Sequence, residues 1–252
     1  MLATGNKSLT DHRLSIRLGA DGFSFFVLNA FDGSTVQADR FPVGDASMAV
    51  ETLRNALRKP YLMDYRFQGV ELEVDGPATI VPLDQFNKSD MMAFYRLCFP
   101  AAAGDLSGGQ CSLSDMQYQI LLPVEAVMIF RLDQDLLRTV QECYPDVKVC
   151  CADARQLEHF AALQEKRPAP EDEMQCDAYL TVGRQSFFFA AFRRSRLIYA
   201  ASQPADNDAD RTFLLLGIWK ALGLQPQRDV CHLEDASEEL QRTIGEYILN
   251  TD

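Results

Sequence analysis

The chain has 252 residues, 47% hydrophobic and 24% charged, an ordinary globular composition that excludes wholesale disorder and fibrous repeats. Its formal charge of −12 and pI near 4.7 set it against nucleic acid, a polyanion that such a surface repels. No apolar run is long enough to span a bilayer and the opening MLATGNKSLTDHR lacks the apolar stretch of a signal peptide, so a soluble cytoplasmic protein without membrane insertion is expected.

Residues 1–12 read as a loose polar lead-in. Leu14-Ser15-Ile16-Arg17-Leu18 then alternates with period two, and Gly19-Ala20-Asp21-Gly22 makes a turn into the aromatic run Phe23–Asn29. Asp32-Gly33-Ser34 turns into a third strand, Thr35–Phe41, completing an antiparallel meander. A helix follows, with Met48, Leu53, Ala56 and Leu57 on one stripe and Pro60 as its stop. Gly69–Val74 and Ala78–Pro82 are the next strands, and Ser89–Phe99 a helix capped by Ser89 or Asp90.

Residues 100–115 form the first clear loop. Strands Gln117–Leu122 and Ala126–Arg131 follow, then helix Asp133–Cys143, strand Val147–Cys151 and helix Ala154–Gln164. The polar, Pro-bearing stretch 166–173 is read as a linker between a lobe at 13–165 and a lobe at 174–250. Beyond it a second meander appears, Ala178–Val182, Ser186–Phe192 and Arg196–Ser202. Helix Asp208–Leu222, strand Asp229–Leu233 and helix Ser237–Leu249 complete the chain.

The two meanders can be overlaid, with Gly19 on Gly183 and Phe25-Phe26 on Phe187-Phe188. The order β-β-β-α-β therefore occurs twice, about 160 residues apart, a separation far longer than solenoid periods. An α/β protein with mixed sheets and two duplicated lobes is the expected fold. The Phe-rich second strands should be buried on both faces of a sheet covered by helices.

This order, with the Leu14–Leu18 and Phe187-Phe188-Phe189 texture, resembles an uncharacterised family of Bacteroides-type bacteria linked to the actin-like ATPase fold, whose lobes are ribonuclease-H-like. The resemblance implies that fold across residues 14–250 and, because the family has no assigned function, no activity. Working members of that superfamily hold Mg·ATP in Asp-x-Gly turns after the first strand of each lobe, where backbone N–H groups cradle the phosphates. The matching residues here are Gly19, Asp21 and Gly22 in the first turn and Gly183 and Arg184 in the second. Asp21 sits late in its turn, and the second turn has no acid. Where the superfamily carries a Gly-Gly turn for the adenosine, Glu234 and Asp235 stand instead and would repel a triphosphate. The bland reading of Asp21-Gly22 is a hairpin with positive φ at the glycine.

Other chemistry is sparse. Seven cysteines, odd in number and without a Cys-x-x-Cys, read as reduced thiols, and Cys150 and Cys151 should face opposite ways on a strand. His12, His159 and His232 have no local partner that makes a triad, and no metal site is read. Gly108-Gly109 is no Walker motif, and Arg193-Arg194-Ser195-Arg196 and Glu171-Asp172-Glu173 read as solvated. Three functions stay open. The first is a non-catalytic interaction or scaffold protein with an unknown protein partner. The second is a nucleotide-binding protein or ATPase using Asp21, Asp84 or Asp206, and the third a small-molecule enzyme.

Overall fold

The computed structural model describes residues 11–19, 21–63, 65–99, 112–168 and 172–251. Most of the lead-in and of the 100–115 loop, including Gly108-Gly109, and residues 169–171 of the polar stretch lie outside these. The strands are β1 (His12–Gly19), β2 (Gly22–Asn29), β3 (Thr35–Pro42), β4 (Phe67–Val74), β5 (Ala78–Pro82), β6 (Met116–Leu121), β7 (Ala126–Arg131), β8 (Lys148–Cys151), β9 (Cys176–Val182), β10 (Ser186–Arg193), β11 (Arg196–Pro204) and β12 (Val230–Glu234). The helices are α1 (Ala49–Leu57), α2 (Pro60–Met63), α3 (Met91–Cys98), α4 (Gln134–Cys143), α5 (Ala152–Lys166), α6 (Asp208–Ala221) and α7 (Glu238–Gly245). The chain forms two compact units, Met1–Pro77, Phe86–Gln119 and Ile129–Ala152 in one and Ala78–Gln85, Ile120–Met128 and Asp153–Asp252 in the other.

The first unit holds a sheet of order β3-β2-β1-β4-β8, antiparallel through β1 and then parallel. One face is apolar because every second residue is: Leu14, Ile16 and Leu18 on β1, Phe23, Phe25 and Val27 on β2, Val70, Leu72 and Val74 on β4. Helices α1 and α4 pack on each other and bury Leu53, Ala56 and Leu57 with Leu136 and Val140. Met48 is not on that stripe. It caps α1 from an exposed position, and Ala49 takes the buried place. Pro60, read as a stop, also opens the short α2, where its fixed φ suits a first helical residue.

The second unit repeats the order as β11-β10-β9-β12. In the place that β8 occupies beside β4, β12 has only a remnant, a parallel bridge from Cys231 to Thr251 with the Cys231 N–H donating to the Asn250 carbonyl at 2.9 Å. Here the sheet is buried on both faces. Phe187, Phe189 and Leu180 meet Leu215 and Trp219 of α6 and Leu240 and Ile244 of α7. On the other face Phe160 of α5 stacks on Tyr179 and Phe188, with centroids 5.0 and 6.0 Å apart. Each buried ring contributes roughly 1.5–3 kcal/mol.

The duplication holds in connectivity, but the aromatic register differs from the sequence overlay. Gly19 pairs with Gly22, and the Gly183 N–H donates to the Ser186 carbonyl. Anchored there, Phe23 matches Phe187 and Phe25 matches Phe189. The overlay was two residues off because an aromatic run gives no registration by itself. Phe26, expected to be buried, is only half-buried, since the first sheet is apolar on one side. His12 is not in a loose segment. It opens β1, its ring set edge-on to Tyr65 at 4.8 Å. The final helix stops at Gly245 rather than running to Leu249.

Gly22 has φ +135°, and a Cβ there would lie 2.2 Å from the Phe41 carbonyl oxygen and 2.9 Å from Val43 N. Backbone of β3 occupies the space, so the glycine is required by strand packing. Gly22→Ala should destabilise the protein by about 2 kcal/mol through strain and clash, read as a lower urea midpoint. An unchanged midpoint would remove this account of the turn.

Candidate functional site

In open α/β sheets ligands bind beyond the carboxyl ends of the parallel strands. In the first unit that end is formed by β1, β4 and the β1–β2 hairpin. Arg17 on β1 and Glu73 on β4 are register partners, and the Arg17 Nε donates to the buried Glu73 carboxylate at 2.5 Å. Asp21 in the hairpin is ion-paired with Arg40 of β3, and its carbonyl accepts from the Val43 N–H at 3.1 Å. Asp75, just past β4, donates its N–H to the Leu18 carbonyl at 2.8 Å. Asp75 is exposed at the surface, and partial loss of water around its carboxyl is the first of the influences that raise its pKa. Arg17 opposes this, and Glu73 and Asp21 add to it. Three acids thus meet two arginines at this end.

The second unit places a matching pair at the same register. Thr181 faces Glu234 on β9 and β12 as Arg17 faces Glu73 on β1 and β4. The Thr181 hydroxyl donates to Glu234 at 3.1 Å. From α5, Gln156 donates to both Thr181 and Glu234, at 2.7 and 3.1 Å, and His159 Nε2 lies 2.9 Å from the other Glu234 oxygen. Both oxygens of this carboxylate are therefore engaged by the chain itself.

The hairpin of this unit is closed by an arginine. Arg211, in the first turn of α6, donates through Nη2 to the carbonyls of Gly183 and Arg184, both at 3.0 Å, and lies 3.4 Å from that of Ala205. Its Nη1 donates to Asp208 at 2.6 Å, and the residue is 9% exposed. Bonds from Arg211 and Ser237 hold the Asp208 carboxyl below the usual aspartate range. A phosphate cradle points N–H donors at its anion, whereas the Gly183-Arg184 turn points carbonyls at a guanidinium. Gly183 also lacks freedom, since a Cβ would lie 3.1 Å from the Ser186 carbonyl oxygen.

Of the residues expected to serve a nucleotide, Gly19, Asp21 and Gly22 share one hairpin in the first unit, and Gly183 and Arg184 the equivalent hairpin in the second. The sequence reading missed Arg17, Glu73, Gln156 and Arg211. One signal was present for the last. Arg211, Leu215 and Trp219 follow a four-residue spacing, which puts the arginine on the buried stripe of α6. Asp84 follows β5, and Asp206 lies in the β11–α6 connection beside a shallow hollow of about 220 Å³. Cys150 and Cys151 take opposite faces at the registers of Glu73 and Val74.

A separate buried network lies beneath α5. Gln164 donates to Asp177 at 3.0 Å and accepts from the Tyr179 hydroxyl at 2.9 Å, while His232 Nε2 lies 3.4 Å from Asp177. Arg167 stands 3.7 Å from Asp177 and 3.4 Å from His232 Nδ1. Burial raises the Asp177 carboxyl, but these donors outweigh it and hold it low. The network fastens α5 to β9 and β12. Among the described residues no group of three or more His, Cys, Asp or Glu side chains is placed to hold a metal ion, and no helix is long and apolar enough to cross a membrane.

Comparison with known proteins bears on this arrangement. A Bacteroides thetaiotaomicron protein with actin-like ATPase fold and unknown function superposes with a TM-score of 0.74 at 22% identity, over 96% of this chain and 90% of its own. The PilM–PilN type IV pilus biogenesis complex gives 0.48 at 11% identity, over 94% and 86%. The cytoplasmic domain of EpsL from Vibrio cholerae gives 0.41 at 14%, over 90% and 85%. These last two are too distant in geometry to inform activity. No curated protein matches the chain. Residues 4–248 match the family described as protein of unknown function DUF3822. With its two β-β-β-α-β sheets, the chain belongs to the DUF3822 family and has the actin-like ATPase fold.

Proposed function

We propose that this chain is a non-catalytic member of the actin-like fold that serves in the cytoplasm as an interaction or scaffold module. The observation that carries this reading is the Arg211 guanidinium seated on the carbonyls of the second hairpin. It draws two carbonyls of the turn onto the protein's own cation, whereas a phosphate cradle presents N–H donors to its anion. Glu234, with both oxygens engaged, and the excess of acid around Asp75 add repulsion toward a triphosphate. None of Cys98, Cys143, Cys150, Cys151, Cys176 and Cys231 is in a disulfide, which suits a reducing compartment.

A second reading, an ATPase with an atypical site, draws on Asp75, whose raised carboxyl lies near Glu73 and Asp21. Calorimetric titration with Mg·ATP and Mg·ADP to millimolar concentration, with a phosphate-release assay, separates the two. The scaffold reading predicts no saturable heat and no release above buffer. Saturable binding in the micromolar range would overturn it in favour of the second.

A further inference from the structure

In the second unit two edge strands, β5 and β11, flank an open groove of about 1050 Å³. That is at the upper end of the roughly 300–1,000 Å³ of small-molecule sites, and the groove is open along its length. Its walls are largely apolar: Ile80 and Val81 from β5, Leu122 and Val124 from the turn before β7, and Ile198 and Tyr199 from β11. Leu122 is 71% exposed and Ile198 39%, so apolar surface is left facing water. Among the described residues β11 is laddered to β10 alone and β5 to β7 alone, so each is the edge of its sheet. The β10–β11 ladder jumps register at Ile198, a bulge of the kind that re-aims a side chain at a sheet edge.

A further observation singles the groove out. The groove also holds Asp84, Glu125 and Arg196, and none of these three has an ion-pair partner among the described residues, whereas Arg194 is tied to Glu173. A partner can supply the missing countercharges. A second copy of the chain is a poor candidate, because each copy carries −12 and like-charged molecules repel.

The geometry points to this groove as the docking site for an extended segment of a partner protein, apolar along its middle, with a carboxylate for Arg196 and a basic side chain for Asp84 and Glu125. The inference rests on the scaffold reading and names the surface through which it acts. Apolar contact along the groove supplies affinity, and the charges supply specificity.

The test is selection of a displayed library of random decapeptides on the full chain, followed by affinity measurement and amide hydrogen exchange with the enriched synthetic peptide. Arg196→Glu and Ile198→Glu alter exposed side chains, and thermal unfolding checks that both variants fold. The expected peptides share an acidic residue, alternate apolar residues and a basic residue. They bind each variant roughly tenfold more weakly or worse and slow exchange in β5 and β11. Changing the peptide's acid to lysine restores binding to Arg196→Glu. No enrichment, binding untouched by both variants, or a wild-type dimer in sedimentation velocity that Ile198→Glu abolishes would each overturn the proposal. A peptide docked here beside a saturable Mg·ATP response removes the non-catalytic reading and keeps the groove. Silence in both titrations removes the groove alone.

Discussion

Asp229→Asn is expected to cost about 3 kcal/mol of stability at neutral pH, because an amide offers one acceptor oxygen where the buried carboxylate offers two, to four charge-assisted donors. Asp229 is fully buried just before β12. Arg228 Nε and Nη2 donate to its two oxygens at 2.9 Å each, the Cys176 N–H donates at 2.9 Å and the Gln225 N–H at 2.6 Å. The carboxylate thereby ties the loop after α6 to the start of β9. Burial alone would raise its pKa, but the bonds from Arg228, Gln225 and Cys176 outweigh that and hold it below the usual aspartate range. A depressed folded pKa contributes stability that is present above the unfolded value of about 3.9 and is lost as pH falls through the folded one. The gap between wild type and variant should therefore be full at pH 7 and close as the pH falls below about 4. Urea unfolding across that range measures it. A gap that is small at pH 7, or that widens in acid, would contradict the assignment.

Arg211→Ala should cost about 2–4 kcal/mol, since it takes the guanidinium donor from the carbonyls of Gly183 and Arg184 and leaves Asp208 with Ser237 alone of its two side-chain donors. Arg211→Lys should lose less but not be neutral, because a point ammonium cannot serve Asp208 and two carbonyls through a planar fork. Amide exchange in the Gly183–Ser186 turn should speed up in Arg211→Ala before the rest of β9 and β10 is affected. A variant with wild-type stability and exchange would show that the arginine does not close the hairpin.

Local patterns were legible in the sequence, and long-range pairings were not. Period-two alternation in Leu14–Leu18 and the turns at Asp21-Gly22 and Gly183-Arg184 placed both meanders, because strands and hairpins are decided by neighbouring residues. Helix starts were legible for the same reason. Asp133, Asn207 and Ser237 each accept a backbone N–H from the first turn that follows. Phe25-Phe26 misled because consecutive aromatics fit either register, and only the ladder to β1 decides which ring is inside. The candidate site was hidden. Arg17 meets Glu73 across 56 residues, Arg211 meets Gly183 across 28 and Thr181 meets Glu234 across 53, and no local period links such partners. The groove needed the same information, since β5 and β11 come from distant parts of the chain and approach only in the fold.

The most direct measurement follows the backbone amides of Gly19, Gly22, Gly183 and Arg184 by heteronuclear NMR while Mg·ATP is added to the labelled full chain. If both hairpins are already satisfied by the protein's own side chains and backbone, these four signals stay where they are at millimolar nucleotide. Movement of the hairpin amides to a plateau, in either unit, would mean that the turns still receive phosphate and that the scaffold reading is wrong.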